Sequence, residues 1–203
     1  MIDVARARER VEEYLRRAEG GDGYCYPLTV TEHASRYLLL CEALESTREE
    51  LAITAFERLF RERGLPQAIR SDNGVPFAGP NSLSNLSKLS VGWLRLGISI
   101  ERIKPGHPQQ NGRHERTHLT LKKEATRPPG ANSLQQQARF DAFVQEFNAE
   151  RPHEARQMKR PADLYSPSLR PYSGLPELRH PSHEREVLVT ACGRIHWSRP
   201  ELL

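Results

Sequence analysis

Segments typical of β-strands alternate with segments typical of α-helices through the middle of the chain, and this order limits the possible folds. Apolar patterning predicts strands at residues 24–30, 37–41, 67–70 and 98–103, with a turn at residues 31–36 joining the first two. Helical periodicity begins after the capping-box sequence Ser46-Thr47-Arg48-Glu49, ends before Gly64, and returns over residues 86–96, 112–126 and 133–149. A pair of strands followed by alternating helices and strands predicts an α/β fold, a mixed sheet with helices on both faces.

The two ends of the chain have different patterns. Val4, Val11, Tyr14 and Leu15 fall near one helical face, so residues 3–18 are predicted to be helical and to end at the glycine-rich turn of residues 20–23. Prolines recur over residues 161–181 without periodicity, which indicates a linker or an extended arm, and residues 187–197 have the pattern of a β-hairpin. The expected organisation is an atypical N-terminal helix at residues 1–22, a core at residues 23–160, and a Pro-rich linker with a partial C-terminal β-hairpin at residues 161–203.

Length and composition allow one full domain with appendages, because 37% of the 203 residues are hydrophobic. The net charge of +4 and the pI near 9.1 suit a nucleic-acid partner, although many enzymes have a similar charge. The three cysteines are widely spaced and form no metal-binding pattern, which indicates reduced thiols. No apolar run is long enough to span a membrane and the first residues lack a secretion-signal pattern, so we expect a cytoplasmic protein without a membrane partner.

Asp72 lies in the sequence Arg70-Ser71-Asp72-Asn73-Gly74, directly after the strand predicted at residues 67–70. Asp-Asn-Gly is also typical of an ordinary turn, and for this tripeptide alone that interpretation is the better one. The preceding strand changes the balance, because the ligands of open α/β sheets collect at the carboxyl ends of strands. Asp72 is therefore a candidate site residue.

Glu115 falls in the first turn of the helix predicted from residue 112, after a loop rich in Gly, Pro, Gln and Asn. Four cations surround it in the sequence, namely Arg113, Arg116, Lys122 and Lys123. A carboxylate flanked by cations on an exposed helix fits a metal ligand beside phosphate groups. A solvated, charge-mixed helix whose first-turn Glu is stabilised by the helix dipole is an equally good interpretation of Glu115 alone.

The two acids together favour metal chemistry on phosphate. Carboxylate oxygens suit Mg²⁺ or Mn²⁺, and two such ions about 4 Å apart can activate a nucleophile and stabilise a leaving oxygen. The sequence has no Ser-His-Asp, Cys-His or Walker pattern that would indicate another chemistry. Asp72 and Glu115 are therefore the predicted catalytic and metal-binding residues. The predicted DNA-binding residues are Arg113, Arg116, Lys122 and Lys123.

Several ordered motifs resemble those of the DDE transposases of bacterial insertion sequences, whose integrase core is also found in retroviruses. The motifs are residues 27–37, Ser71-Asp72-Asn73-Gly74, residues 108–116, Phe147-Asn148, Arg151-Pro152-His153 and Arg160-Pro161-Ala162. The resemblance covers residues 23–197.

The resemblance implies an RNase H-like fold, in which a five-stranded mixed sheet is flanked by helices. It also implies a triad of two aspartates and one glutamate that binds two Mg²⁺ ions, DNA cleavage by water, and strand transfer by a 3′-hydroxyl. On the matching motifs, Asp72 would be the second acid and Glu115 the third, with Arg116 and Lys122 near the bound transposon end. Because such transposases bring two DNA ends together, the resemblance further implies a homodimer.

The first acid and the first strand of this family have no counterpart that the motifs identify. Asp3 and Asp22 are the only aspartates before residue 27, and neither matches the family's motif. Asp3 precedes a helical pattern, Asp22 lies in the glycine-rich turn, and Glu32 follows the second predicted strand. The sequence therefore predicts a core that lacks its first strand, as in a truncated copy.

The favoured interpretation is a transposase of a bacterial insertion sequence, from a family that cleaves and transfers DNA strands with Mg²⁺ or Mn²⁺. In this interpretation the chain is an incomplete copy that is inactive alone. The alternative is a non-catalytic DNA-binding protein that regulates or pairs with a full-length transposase. A product that does not fold stably is the third interpretation. In the first two, DNA is the expected partner, as transposon ends and as target.

Overall fold

The computed structural model describes residues 1–6, 25–71, 74–79, 85–102, 112–152 and 157–177, and for residues 3–6 and 112–115 it describes the backbone. The described elements, in chain order, are β1 (Ile2–Arg6), β2 (Tyr26–Glu32), β3 (Leu38–Leu44), α1 (Glu49–Arg63), β4 (Ala68–Ser71), α2 (Lys88–Arg95), β5 (Ser99–Arg102), α3 (Gly112–Glu124), α4 (Ser133–Ala149) and α5 (Pro161–Leu164). None of the helices within these residues is long and apolar enough to cross a membrane.

The strands form one mixed sheet in the order β3-β2-β1-β4-β5. β1 is the central strand, antiparallel to β2 and parallel to β4. β2 and β3 form an antiparallel pair, whereas β4 and β5 are parallel to each other. The predicted mixed α/β sheet is therefore confirmed.

β1 corrects two predictions from the sequence. Residues 3–6 were expected to begin a helix, but Ile2–Arg6 form a strand that pairs on both sides. The expectation that the core lacks its first strand is wrong for the same reason, because the centre of the sheet is filled by β1. Two flanking ladders of backbone hydrogen bonds outweigh the weak helical pattern of such a short segment. Residues 7–24, which carry the rest of the predicted helix and the glycine-rich turn, lie outside the described residues.

Helices cover both faces of the sheet. α1 and α2 pack on one face in an apolar cluster that includes Leu28 and Val30 of β2. Thr29, which alternates with them along β2, is bonded to α3 on the opposite face. There α3 and α4 pack against β3 in a second cluster that includes Leu38, Cys41, Leu121, Phe140, Phe143 and Phe147.

The α1 helix begins at Glu49, the last residue of the predicted capping box, and its cap differs from a capping box. Arg48 is the N-cap residue and makes no capping bond through its side chain, while the Ser46 Oγ accepts from the Arg48 N–H at 3.3 Å. The Glu49 carboxylate accepts a hydrogen bond from the Leu89 N–H at 2.8 Å. Glu49 therefore connects α1 to the first turn of α2 instead of closing its own helix start.

Residues 165–177 form an extended segment that we call the strap, and it packs on the core. The Arg170 guanidinium donates to the carbonyl groups of Pro66, Leu96 and Gly97 at 2.8, 2.9 and 3.2 Å. The Arg170 carbonyl in turn accepts from the Leu65 N–H at 2.7 Å. The strap therefore connects the segment before β4 to the segment before β5.

A second set of contacts holds the first half of the strap. Gly64, at the end of α1, has a φ of +77°, and a Cβ atom there would lie 2.6 Å from the Ser168 carbonyl oxygen. The Tyr165 ring stacks on Tyr37 with 4.3 Å between centroids, and the Arg63 guanidinium lies 5.8 Å from each ring. The predicted Pro-rich linker thus begins with the short helix α5, and the strap after it contacts the core as far as Pro176, whose carbonyl accepts from Arg95. The predicted hairpin lies outside the described residues.

Candidate functional site

The centre of the sheet contains an acid that the sequence motifs did not select. Asp3 on β1 is paired with Thr31 of β2 and with Arg70 of β4. Val4 is paired with Ser71, the last residue of β4. Asp72 follows Ser71 in the chain, and its own position lies outside the described residues. Asp3 therefore lies on β1, and the neighbouring parallel strand β4 ends one residue before Asp72. The signal in the sequence that would have identified Asp3 is the short alternation of Ile2 and Val4 around it.

Glu115 lies in the first turn of α3, where the structure describes the backbone. The predicted helix is confirmed, and it contacts β1, the strand that carries Asp3. α3 is also joined to β2 by a hydrogen bond of 2.7 Å between the His118 Nε2 and the Thr29 Oγ1. The helix with the predicted third acid is therefore held against the central strand β1 and its neighbour β2.

His118 is half-buried between α3 and the sheet, and Thr29 is fully buried. Desolvation lowers the pKa of His118 from its ordinary value of 6.5 to about 4. The imidazole is therefore neutral at pH 7, and it contributes a hydrogen bond without a positive charge.

Acidification is expected to destabilise the fold through His118. Its pKa is lower in the folded chain than in the unfolded one, so the unfolded chain takes up the proton first. The stabilisation is complete above the unfolded value of 6.5 and is lost as the pH falls towards about 4. The difference is worth about 3 kcal/mol at most. Urea unfolding at several pH values measures this, and His118→Gln should remove that part of the slope; an unchanged slope in the variant would contradict the assignment.

The predicted DNA-binding cations share one helix. Arg116, Lys122 and Lys123 are exposed on α3, whereas the side chain of Arg113 lies outside the described residues. Leu121 on α3 and Ala125 directly after the helix are buried. α3 is therefore amphipathic, with its described cations facing solvent, and their contact with DNA stays a prediction.

Glu32, weighed from the sequence as a substitute first acid, has a different role. Its carboxylate accepts hydrogen bonds from the N–H groups of Ala34 and Ser35 at 2.8 and 2.5 Å and from the Ser35 hydroxyl at 2.7 Å. Burial acts to raise the pKa of Glu32, but these bonds outweigh it and the net pKa is lowered. Glu32 therefore stabilises the turn between β2 and β3.

One buried hydroxyl marks the surroundings of Asp3. Within the described part of the chain, the Thr31 Oγ1 is buried and has no hydrogen-bond partner, and Thr31 is the register neighbour of Asp3. No group of three or more His, Cys, Asp or Glu side chains that could hold a metal occurs among the described side chains, which exclude Asp3, Asp72 and Glu115. The three candidate acids supply carboxylate oxygens, the donor type that suits Mg²⁺ and Mn²⁺.

Comparison with known proteins agrees with this arrangement of strands. Residues 96–161 match the family model of the integrase core domain. Over 91% of its length the chain is similar to a chain of the simian T-cell lymphotropic virus intasome, with a TM-score of 0.62, 17% identity and 60% of that chain covered. It is also similar to the HTLV-2 integrase catalytic core domain in complex with magnesium, with a TM-score of 0.58, 14% identity, and 81% and 95% of the two chains covered.

The fold is that of a retroviral integrase catalytic core. A third similar structure, the catalytic core domain of BIV integrase, has a TM-score of 0.56 and 16% identity, with 81% of this chain and 91% of that chain covered. The RNase H-like fold implied by the sequence motifs is therefore confirmed. Its integrase core architecture includes the central strand that the motifs did not reveal.

Two curated relatives match about half of the chain. The Pol polyprotein of feline endogenous virus ECE1 and the Gag-Pol polyprotein of baboon endogenous virus are each 31% identical to it over 106 residues. The aligned region is 52% of this chain but 9% and 6% of the two polyproteins. The chain thus spans less than a tenth of the length of these relatives.

Proposed function

We propose that the chain is a metal-dependent DNA strand transferase of the integrase and transposase class, and more narrowly a transposase of a bacterial insertion sequence. Its proposed substrates are the DNA ends of its element and a target DNA. The observation that carries the proposal is the central strand β1, which bears Asp3 in an integrase core fold. Neighbouring β4 ends directly before Asp72.

In this proposal Asp3, Asp72 and Glu115 are the three acids that would hold Mg²⁺ or Mn²⁺. Asp3 takes the role of the first acid. The proposal therefore replaces the expectation from the sequence that this acid is missing. Support comes from the places of Asp3 on β1 and Glu115 on α3, from the contact between these two elements, and from the unpaired hydroxyl of Thr31, the register neighbour of Asp3. The bound ions would supply charge stabilisation and activate the attacking hydroxyl group of water or of a DNA 3′ end.

The cations of α3 give the proposed site a means of binding the DNA backbone. Exposed Arg116, Lys122 and Lys123 lie on the helix that carries Glu115. Cationic side chains bind phosphates without regard to base sequence and set the position of the duplex. We propose that they hold the strand so that a phosphodiester lies at the three acids. Transfer of two DNA ends would require a second copy of the chain, and we propose a homodimer or pairing with a full-length transposase.

A plasmid nicking assay tests the proposed function. The purified chain is incubated with a supercoiled plasmid that carries the DNA bordering its gene, with Mg²⁺ or with EDTA. We expect the wild-type chain to produce nicked plasmid with Mg²⁺ and none with EDTA. A Glu115→Gln preparation, which controls for contaminating nucleases, should produce none under either condition. A gel shift of the same DNA without cleavage by wild type would reject the enzyme and favour the alternative, a non-catalytic DNA-binding protein.

A further inference from the structure

The hydrogen bond between His118 and Thr29 connects α3 to the sheet one helical turn beyond Glu115. We infer that Thr29 and His118 are positioning residues, which set Glu115 at a fixed place relative to Asp3 and so determine the affinity of the site for its metal. The inference rests on the proposed function, and it assigns these two residues no contact with the metal or with DNA.

Thr29 is built into the backbone ladder that carries Asp3. It is fully buried in β2, where it is paired with Ala5 on one side and with Cys41 on the other. Asp3 is paired with Thr31, two residues further along β2, a separation of about 7 Å along a strand. The backbone of Thr29 is therefore fixed relative to that of Asp3 by the central ladder, and the Thr29 hydroxyl projects from this fixed position.

His118 stands three residues after Glu115, about 4.5 Å along the helix axis. Further along, α3 is held by the apolar contacts of Leu121 and Ala125 in the cluster with α4, and by an exposed ion pair between Glu124 and Arg151. The Gln136 side chain donates to the Ala125 carbonyl, directly after the helix, at 2.9 Å. Apolar packing has no preferred direction and tolerates a small rotation or shift of a helix. The hydrogen bond of 2.7 Å to a buried hydroxyl adds a directional contact that restrains the position of α3 near its first turn.

Such a fixed position matters because metal-binding carboxylates tolerate little error. A productive constellation must be held to about 0.5 Å, and a displacement of about 1 Å can reduce a rate roughly 100-fold. Partners behind metal ligands typically change metal affinity about 10- to 100-fold when they are removed. Because burial keeps the pKa of His118 low, its ring is neutral and adds no cation near the end of α3 where the metal would bind.

Thr29→Val tests the inference, since valine keeps the β-branched shape and removes the hydroxyl. The matched control is Thr120→Val, which removes a hydroxyl from α3 that donates to the Arg116 carbonyl within the same helix. Mn²⁺ binding is measured by calorimetry and by the rise in melting temperature with Mn²⁺, and cleavage is titrated with Mg²⁺. For Thr29→Val we expect a cooperative melt, roughly 10-fold weaker Mn²⁺ binding, and a similar rise in the half-saturating Mg²⁺ concentration. The affinity for DNA and the behaviour of Thr120→Val should match wild type.

A second pair of variants protects the test against a failure to fold. His118→Gln keeps a group that can bond the Thr29 hydroxyl, whereas His118→Leu does not, so glutamine should restore much of the metal affinity that leucine loses. Mn²⁺ affinity equal to wild type in Thr29→Val or His118→Leu, with a lower melting temperature alone, would reduce the bond to a purely structural role. Absence of Mn²⁺ binding and cleavage in wild type would instead remove the proposed function, and the positioning role with it.

Discussion

Replacing Asp3 by Asn is expected to reduce the rate of Mg²⁺-dependent strand cleavage about 1,000-fold relative to wild type. The substitution keeps the size of the side chain in β1 but removes one of three proposed anionic ligands. Metal ions supply several kcal/mol of charge stabilisation in such reactions, and a loss of about 4 kcal/mol corresponds to that factor in rate. Single-turnover cleavage of the plasmid substrate, at saturating protein, measures the effect on the chemical step.

Asp22→Asn is the matched control, because Asp22 is the other aspartate before β2. It should cleave at the wild-type rate, while Asp3→Asn should bind the same DNA with unchanged affinity and unfold with an unchanged urea midpoint. Equal cleavage by Asp3→Asn and wild type would reject Asp3 as the first acid. Loss of cleavage in Asp22→Asn alone would move that role to the glycine-rich turn.

Most of the helices could be predicted from the sequence because their signals are local. α4 has the predicted bounds, residues 133–149. Its start is set by Asn132, whose side chain accepts from the Gln135 N–H at 2.9 Å. Its buried residues Phe140, Phe143 and Phe147 recur at helical spacing. The bounds of such an element follow from neighbours within one or two turns, which a single sequence contains.

β1 could not be predicted because its stability comes from residues far away in the chain. Five residues give too short an alternation to outweigh the helical spacing of Val4 and Val11. The partners of β1, namely β2 and β4, begin at Tyr26 and Ala68 and become visible only when the sheet is assembled. The candidate site was therefore half-predicted: Asp72 and Glu115 stand in local motifs, whereas Asp3 is recognised by its place in the sheet.

The strap illustrates the same limit in the other half of the chain. A segment with many prolines and no periodicity has the composition of a linker, and composition says nothing about carbonyl groups elsewhere that it could satisfy. Arg170 donates to three carbonyl oxygens, those of Pro66, Leu96 and Gly97. The first lies in the segment before β4 and the other two lie in the segment before β5. Contacts of this kind depend on which loops the fold brings together, and no local sequence pattern predicts them.

The motif Phe147-Asn148 has a structural role, because it binds helix α4 to the edge strand β3. The Asn148 side chain accepts from the Leu38 N–H at 2.8 Å and donates to the Leu38 carbonyl at 3.0 Å, and both bonds are buried. The Gln137 side chain binds the same strand in the same way, since it accepts from the Ala43 N–H and donates to the Cys41 carbonyl. Two amides of α4 thus occupy backbone groups of an edge strand that could otherwise pair with another chain.

Asn148→Ala is therefore expected to destabilise the fold by about 2 to 6 kcal/mol, since it leaves two buried groups without a partner and each costs about 1 to 3 kcal/mol. This is a large share of the roughly 5 to 15 kcal/mol that stabilises a typical domain. Urea unfolding measures the free energy from its midpoint and slope. Gln145→Ala is the matched control, because Gln145 is an exposed amide on the same helix, and it should change stability little.

Asn148→Asp separates the two bonds. An aspartate can still accept from the Leu38 N–H, but when ionised it turns a second acceptor towards the Leu38 carbonyl, so it should be at least as destabilising as alanine at pH 7. Burial beside a carbonyl raises the pKa of such a carboxyl in the folded chain, and protonation restores a donor. The difference in the free energy of unfolding between Asn148→Asp and wild type should therefore become smaller as the pH falls from 7 towards 5. A deficit below about 1 kcal/mol for both variants, within the range of ordinary surface substitutions, would mean that α4 is held on β3 by its phenylalanines alone.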